Sequence, residues 1–348
     1  MKKIVSLCLL IFAVTGVDCS LVDLLYAGVP STAGTAAAPF LKIGIGARAI
    51  GMGEGFTAIA NDATATYWNP AGLTAINRQE ISLSHNAWFQ NINFEHIAYV
   101  LPAKQLKGVV GFASTYLYVN DMERRSGDTP QPEGTFGASD LSVCLSYGSS
   151  LNRWIGLPLR AGTNLKFIRQ QIDDYVADAI AVDVGLMYPV LGNKVQAGLV
   201  VQNVGTPIKF ISESYQLPLT YKIGLAWAPL NGDTVVSGQP FIIGLSLSKS
   251  IDTDYDFRVG TEYWFGGLFS VRAGYLHRNK TQSESLSGDK SGTISNREFA
   301  QLTGLTAGFG FRLSSSETSP VKTIGFDYAF VPYGELGNTH RFTMGMKF

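Results

Sequence analysis

The chain has 348 residues, 46% of them hydrophobic and 16% charged, where a soluble domain carries roughly 25% charged residues. Lys+Arg and Asp+Glu number 27 each, so the formal net charge is zero. These figures exclude a disordered chain, which needs low hydropathy and high charge, and argue against a nucleic-acid partner, which needs a basic excess.

Met1-Lys2-Lys3 is followed by an apolar run from Ile4 to Val14. A basic start and a short greasy core make a Sec signal peptide, too short to cross a bilayer as a helix. Residues 1–19 are assigned to it. Cleavage between Gly16 and Ser20 removes Cys8 and Cys19 and leaves Cys144 as the single mature cysteine. One thiol cannot close an intramolecular disulfide, so a disulfide scaffold is excluded. No later run of about 18 uncharged apolar residues occurs, and no membrane helix is expected. An exported, apolar chain without such a helix has the character of a membrane β-barrel, where only alternate residues meet lipid.

Residues 20–79 are expected to form a linker and a small N-terminal plug. From Pro39 the chain reads PFLKIGIGARAIGMGEGFTAIANDATATYWNPAGLTAI. Glycines 44, 46, 51, 53 and 55 punctuate it and small residues dominate. Such backbone is compact and bendable enough to pack inside a tube.

From residue 80 to 348 the pattern turns to period two. Leu165 and Phe167 oppose Asn164 and Lys166; Val182, Val184 and Leu186 oppose Asp183 and Gly185. Phe257, Val259 and Tyr263 oppose Arg258, Gly260 and Glu262; Phe309 and Phe311 oppose Gly308, Gly310 and Arg312. Each is a strand with one greasy face and one polar or glycine face. Fourteen candidates fall near 80–89, 92–101, 107–119, 138–149, 158–170, 178–189, 194–203, 217–228, 239–249, 254–265, 268–277, 300–313, 321–331 and 339–348. The expected fold is all-β: a transmembrane antiparallel barrel of about 14 strands, with the polar faces inward. The outer loops 120–137, 204–216 and 278–299 are the longest, and the inner turns are mostly short. Trp88, Phe89, Tyr116, Tyr118, Tyr188, Trp227, Tyr263, Trp264 and Phe265 gather near strand ends, as in interfacial girdles.

Phe342, Met344, Met346 and Phe348 alternate with Arg341, Thr343, Gly345 and Lys347, and the last residue is aromatic. This ending resembles the assembly signal read by barrel-insertion machinery, which is therefore an expected partner together with outer-membrane lipid.

No catalytic group, metal ligand set or cofactor is expected. Gly44-Ile45-Gly46-Ala47-Arg48-Ala49 lacks the strand–helix setting of a dinucleotide site. Asp252, Asp254 and Asp256 open like a calcium loop, but Phe257 and Tyr263 stand where glycine and glutamate are needed. The inward arginines Arg258, Arg272 and Arg312 carry two readings. They either clasp a ligand carboxylate or phosphate, or form a self-neutralising ladder with Glu262 and Asp327.

The N-terminal segment resembles the signature of FadL-like outer-membrane proteins, and more closely their PorV/PorQ branch. The matching residues are Gly46-Ala47-Arg48-Ala49, Gly51-Met52-Gly53, Ala58 with Asn61-Asp62, and Trp68-Asn69-Pro70-Ala71-Gly72-Leu73. The resemblance implies a 14-stranded barrel with an N-terminal hatch around Gly51, Gly53, Asn69, Pro70 and Ala71. It implies passage of hydrophobic, fatty-acid-like small molecules across the outer membrane of a diderm, Gram-negative-type bacterium, gated by that hatch. The alternative it carries is a PorV-like component of type IX secretion that binds exported proteins. A structural surface barrel is the third reading.

Overall fold

A computed structural model describes residues 34–128, 130–191, 194–230, 240–278, 304–316, 319–333 and 337–348. The expected signal segment 1–19, the linker up to residue 33, and most of the long turn 229–238 and the loop 278–299 lie outside the described residues.

The strands are β1 (Glu80–Ala87), β2 (Asn93–Ala103), β3 (Gly108–Arg124), β4 (Gly134–Ser150), β5 (Arg160–Ile172), β6 (Tyr175–Pro189), β7 (Val195–Gly205), β8 (Ile208–Lys209), β9 (Ser214–Tyr215), β10 (Thr220–Trp227), β11 (Phe241–Ser250), β12 (Tyr255–Phe265), β13 (Phe269–Arg278), β14 (Leu305–Ser314), β15 (Thr323–Pro332) and β16 (Asn338–Lys347). Fourteen of them close one antiparallel barrel, and β8 and β9 form a separate two-residue ladder in the β7–β10 connection. Closure is made by β16 on β1, from Glu80 opposite Lys347 to Ala87 opposite His340. Both barrel termini therefore lie at one end, the termini end; the β1–β2 and β3–β4 connections lie at the far end. No described helix is long and apolar enough to cross a membrane.

The alternation read from sequence sets the two faces. On β5 and β6, Leu165, Phe167, Ile180, Val182 and Val184 point outward and are exposed, while Asn164, Lys166, Ala181 and Asp183 are buried. On β16, Phe342 is exposed and Arg341 and Thr343 are buried. The wall is inverted relative to a soluble protein: apolar side chains cover the outside, and polar ones line the lumen. The buried apolar core sits inside the tube, where Met52, Phe56, Ala58, Ile59, Trp68, Ala71 and Leu73 of the N-terminal segment pack on Ala98, Val100, Ala113, Ile242 and Ala329 of the wall.

Three details differ from the sequence reading. First, the expected loop 120–137 is largely strand: β3 and β4 stay paired to Arg124 opposite Gly134, through a bulge between Val119 and Met122. The apolar alternation stops there, whereas backbone pairing does not. Second, β10 begins at Thr220, not 217, and the β8–β9 ladder precedes it. Third, two expected girdle residues turn inward. Trp264 stacks under Arg312, and Trp88 lies against Arg341, while Trp227, Tyr263 and Phe265 face out.

Leu165 stands mid-strand on the outer face. A Leu165→Arg substitution is expected to destabilise the barrel by about 2–4 kcal/mol, the range for a cation at mid-bilayer. Urea titration of refolding into lipid vesicles measures it.

Candidate functional site

The segment Gly34–Gln79 lies inside the barrel. Its helical pieces are one or two turns long. They are a 3-10 turn at Pro39–Lys42, an α-turn at Ala47–Gly51, another at Ala65–Trp68, and a 3-10 turn at Pro70–Ala75. Glycine sets the breaks: Gly46 (φ 75°) precedes the first α-turn and Gly53 (φ 57°) follows it, in backbone that a Cβ disfavours. Pro70 stands at the first position of its turn, where a missing N–H costs nothing.

Asn69, one of the expected hatch residues, is fully buried and makes three links. Its side-chain oxygen accepts from Ala71 N at 3.1 Å and so caps the Pro70 turn. Its amide donates to Thr57 O at 3.0 Å within the segment and to Leu186 O of the wall at 3.3 Å.

The segment lies backbone-to-wall on rows of glycine. Gly148, Gly162 and Gly185 stand directly opposite one another on β4, β5 and β6. Gly198 pairs with Gly224, and Gly244, Gly260 and Gly274 form a third row on β11, β12 and β13. Asn69, Pro70 and Ala71 rest on the first row, Thr57 and Ala58 on the second, and Met52, Gly53 and Gly55 on the third. A Cβ added at Gly198 would stand 2.7 Å from Thr57 O, and one at Gly53 would stand 2.6 Å from Tyr275 N. Gly51 packs against Gly308 of β14. Gly51 and Gly53 are thus contact points with the wall.

Inward polar side chains then satisfy the irregular backbone of the segment. Asn164 donates to Thr66 O at 2.8 Å, Gln202 to Tyr67 O at 2.6 Å and Gln196 to Ala58 O at 2.5 Å. Arg341 donates to Gly44 O at 2.7 Å, and the Thr343 hydroxyl accepts from Ala47 N at 2.8 Å. Trp68 Nε1 donates to Ile45 O, and its ring together with that of Tyr67 flanks the Lys222 ammonium at 5.1 and 5.2 Å.

An ionic layer ties the termini side of the segment to β12 and its neighbours. Arg48 forks onto Glu262 with bonds of 2.8 and 2.7 Å, and reaches Asp62 at 2.9 Å and Asn61 at 2.7 Å. Burial opposes the charged Asp62 carboxyl, but Arg48 outweighs it and holds the pKa below the ordinary carboxylate range. Glu262 also accepts from Arg272 at 2.7 Å, and Arg272 pairs with Asp327 at 2.7 Å. In the sequence Arg48 stands out only as part of a motif. Its partner stands 214 positions away, a distance no local signal spans.

Of the three expected ligand-anchoring arginines, Arg272 and Arg312 lie over the same Trp264 ring, at 5.6 and 4.2 Å, and Arg258 stands apart. Arg258 pairs with Glu54 at 3.3 Å and Asp256 at 3.1 Å, and the Arg272 side chain is fully buried in the ionic layer. Among the described residues Arg312 has no ion-pair partner; it lies 4.2 Å over the Trp264 ring, at the termini end. At the far end Asp252, Asp254 and Asp256 each face a cation of their own, Lys42, Lys249 and Arg258.

Beside these ion pairs, the far-end side of the lumen holds an apolar cluster. Phe40 is buried among Ile168, Ala177, Ala179, Ala181, Ile208 and Leu217.

A closed fourteen-strand barrel with its N-terminal segment inside has the fold of outer-membrane transport barrels. The toluene transporter TodX of P. putida shares it at TM-score 0.55 and 11% identity, over 87% of this chain and 96% of that one. The Ralstonia pickettii toluene transporter TbuX gives 0.52 and 11%, over 87% and 97%. A Pseudomonas aeruginosa FadL homologue gives 0.54 and 10%, over 87% and 98%. At these identities the likeness is one of fold.

The model of an uncharacterised protein family, UPF0164, matches residues 30–172. A UPF0164 protein of Treponema pallidum (strain Nichols) is 25% identical over 208 residues, which are 57% of this chain and 54% of that protein. The chain thus spans about half the length of that curated relative.

Two substitutions test how the segment is held. Gly260→Val drives a side chain into Met52 O and is expected to cost about 1–3 kcal/mol by overpacking. Gly325→Val, whose Cβ meets nothing nearer than 3.7 Å, is the control. Limited proteolysis between residues 34 and 79 should rise in the first only. Arg48→Met leaves Asp62 without its cation and removes one of two cations from Glu262, at a cost of about 3–5 kcal/mol. It should lower the urea midpoint for protease exposure of the segment while the barrel keeps its unheated gel mobility.

Proposed function

We propose that this protein is an outer-membrane channel for a hydrophobic, fatty-acid-like small molecule, with the N-terminal segment as its hatch. One observation carries the reading: the apolar pocket around Phe40. In a lumen lined mainly by polar side chains, Ile168, Ala177, Ala179, Ala181, Ile208 and Leu217 converge at one place. Its contents are a side chain of the hatch itself. A hydrophobic solute entering from the far end would replace Phe40 in the same surroundings, gaining about 25 cal/mol per Å² of apolar surface removed from water. The barrels of TodX and TbuX, each described as a toluene transporter, support the same class of cargo by fold.

In this reading the short turns at the termini end face the periplasm and the far end faces the exterior. The hatch holds its closed position through Asn69 and the Pro70 turn. The C-terminal strand, with Phe342, Met344, Met346 and Phe348, is the part offered to the assembly machinery.

Uptake of a labelled long-chain fatty acid and of toluene, in a diderm host lacking its own transporter, tests the proposal. The barrel should raise uptake of at least one of them above empty vector. Asn69→Ala, which removes the cap and both carbonyl links, should change uptake or single-channel conductance severalfold. Unchanged uptake and conductance in every variant would remove the channel. A stable exported protein in pulldown, with no lipid-like molecule co-purifying, would favour the PorV-like reading instead.

A further inference from the structure

The channel proposed above draws only on the apolar cluster around Phe40. On the other side of the segment, at the termini end, lies a cavity of about 410 Å³ bordered mainly by polar and charged side chains, among them Arg48, Glu80, Trp264, Arg312, Asp327 and Lys347. Its volume falls within the range of small-ligand sites, roughly 300–1,000 Å³.

Glycine makes the room. Gly325 on β15 and Gly345 on β16 stand directly opposite each other on the inner face, and Arg312 on β14 stands opposite Gly325. A Cβ at Gly325 would meet nothing nearer than 3.7 Å, and one at Gly345 nothing nearer than 3.8 Å. These glycines differ from the rows under the hatch, where a Cβ would collide. Here they leave open space.

The charges around the cavity are almost all spent. Arg48 holds Asp62 and Glu262, Arg272 holds Glu262 and Asp327, and Lys347 holds Glu80 at 3.0 Å. Among the described lining residues, Arg312 is the cation with no carboxylate within ion-pair distance; its neighbours Glu262 and Asp327 are already held by Arg48 and Arg272. Its guanidinium lies at 4.2 Å from the Trp264 ring, which positions it by cation–π attraction and leaves its N–H edge for another partner. An oriented guanidinium edge matches the two oxygens of a carboxylate or phosphate.

We propose that this cavity is a binding site for a small oxyanion, a carboxylate or phosphate compound, entering from the termini end and held by Arg312. The site lies on the opposite side of the hatch from the Phe40 pocket and does not depend on the channel reading. In an outer membrane it faces the periplasm. The stack on Trp264 positions Arg312, and Gly325 and Gly345 provide the space.

Calorimetric titration of the full-length protein in detergent with inorganic phosphate and with succinate, at fixed ionic strength, tests it. Saturable binding of at least one is expected. Arg312→Gln should weaken that binding roughly tenfold or more, as expected for loss of a charged hydrogen-bond partner. Gly345→Leu fills the cavity without touching Arg312 and should abolish it. Unheated gel mobility shows that each barrel is intact. No saturable binding by the parent protein, or undiminished binding in either intact variant, overturns the proposal. Hydrophobic uptake is a separate measurement, so failure of the channel reading would leave this titration unaffected.

Discussion

Lipid neither donates nor accepts hydrogen bonds, and the whole structure follows from that. The sheet must close, because an open edge would leave a row of N–H and C=O groups unpaired in hydrocarbon. β16 therefore returns to β1 residue for residue, from Lys347 to His340. Closure sends one face of every strand inward. These inward side chains do more than line a tube, because they satisfy a second backbone. The segment Gly34–Gln79 pairs only part of its own amides and carbonyls, in short turns, and Asn164, Gln196, Gln202, Thr343 and Arg341 supply further partners. Backbone left unsatisfied inside the barrel would cost nearly what it costs in lipid.

Glycine is the second half of the same solution. Glycine inside a strand costs roughly 0.5–1 kcal/mol relative to alanine, and eight strands carry one in the three directly paired rows. The cost is offset by approach. With no Cβ in the way, the backbone at Met52–Gly55, Thr57–Ala58 and Asn69–Ala71 lies directly on the sheet. Wall and segment are then complementary surfaces of main chain, and the neighbouring polar side chains reach carbonyls from the sides.

Where the chain meets lipid on one face and lumen on the other, the sequence is readable. Alternation alone places Leu165 outside and Lys166 inside, and the same holds for Phe342 and Arg341. Legibility ends where that constraint ends. Beyond Val119 the β3–β4 hairpin has polar surroundings on both faces, so pairing continues without a pattern. Trp264 and Tyr263 are equally aromatic, and only their parity separates a stacking platform in the lumen from a girdle ring outside. The inner segment is legible through Asn69-Pro70-Ala71 and its glycines. The Arg48–Glu262 contact and the glycine rows are not, because both depend on register between distant strands. The glycines themselves are visible as a polar-face feature; that they align across neighbours is information held by pairing alone.

The segment also has a definite polarity along the barrel axis. Ala38 and Phe40 sit in the apolar pocket at the far end, whereas Arg48 and Asp62 sit in the ionic layer near the termini. Sliding the segment toward the far end would carry Arg48 out of its fork on Glu262, whose side chain has no access to solvent. Sliding it the other way would draw Phe40 out of its pocket and into polar surroundings. Each direction breaks an interaction that only the resting position provides, and a broken buried ion pair alone costs about 3–5 kcal/mol. The ionic layer below and the apolar cluster above therefore fix the height of the segment from both sides. In the channel proposed above, a hydrophobic solute would replace the apolar anchor without disturbing the ionic layer, and the far-end portion of the segment would respond while the rest stays in place.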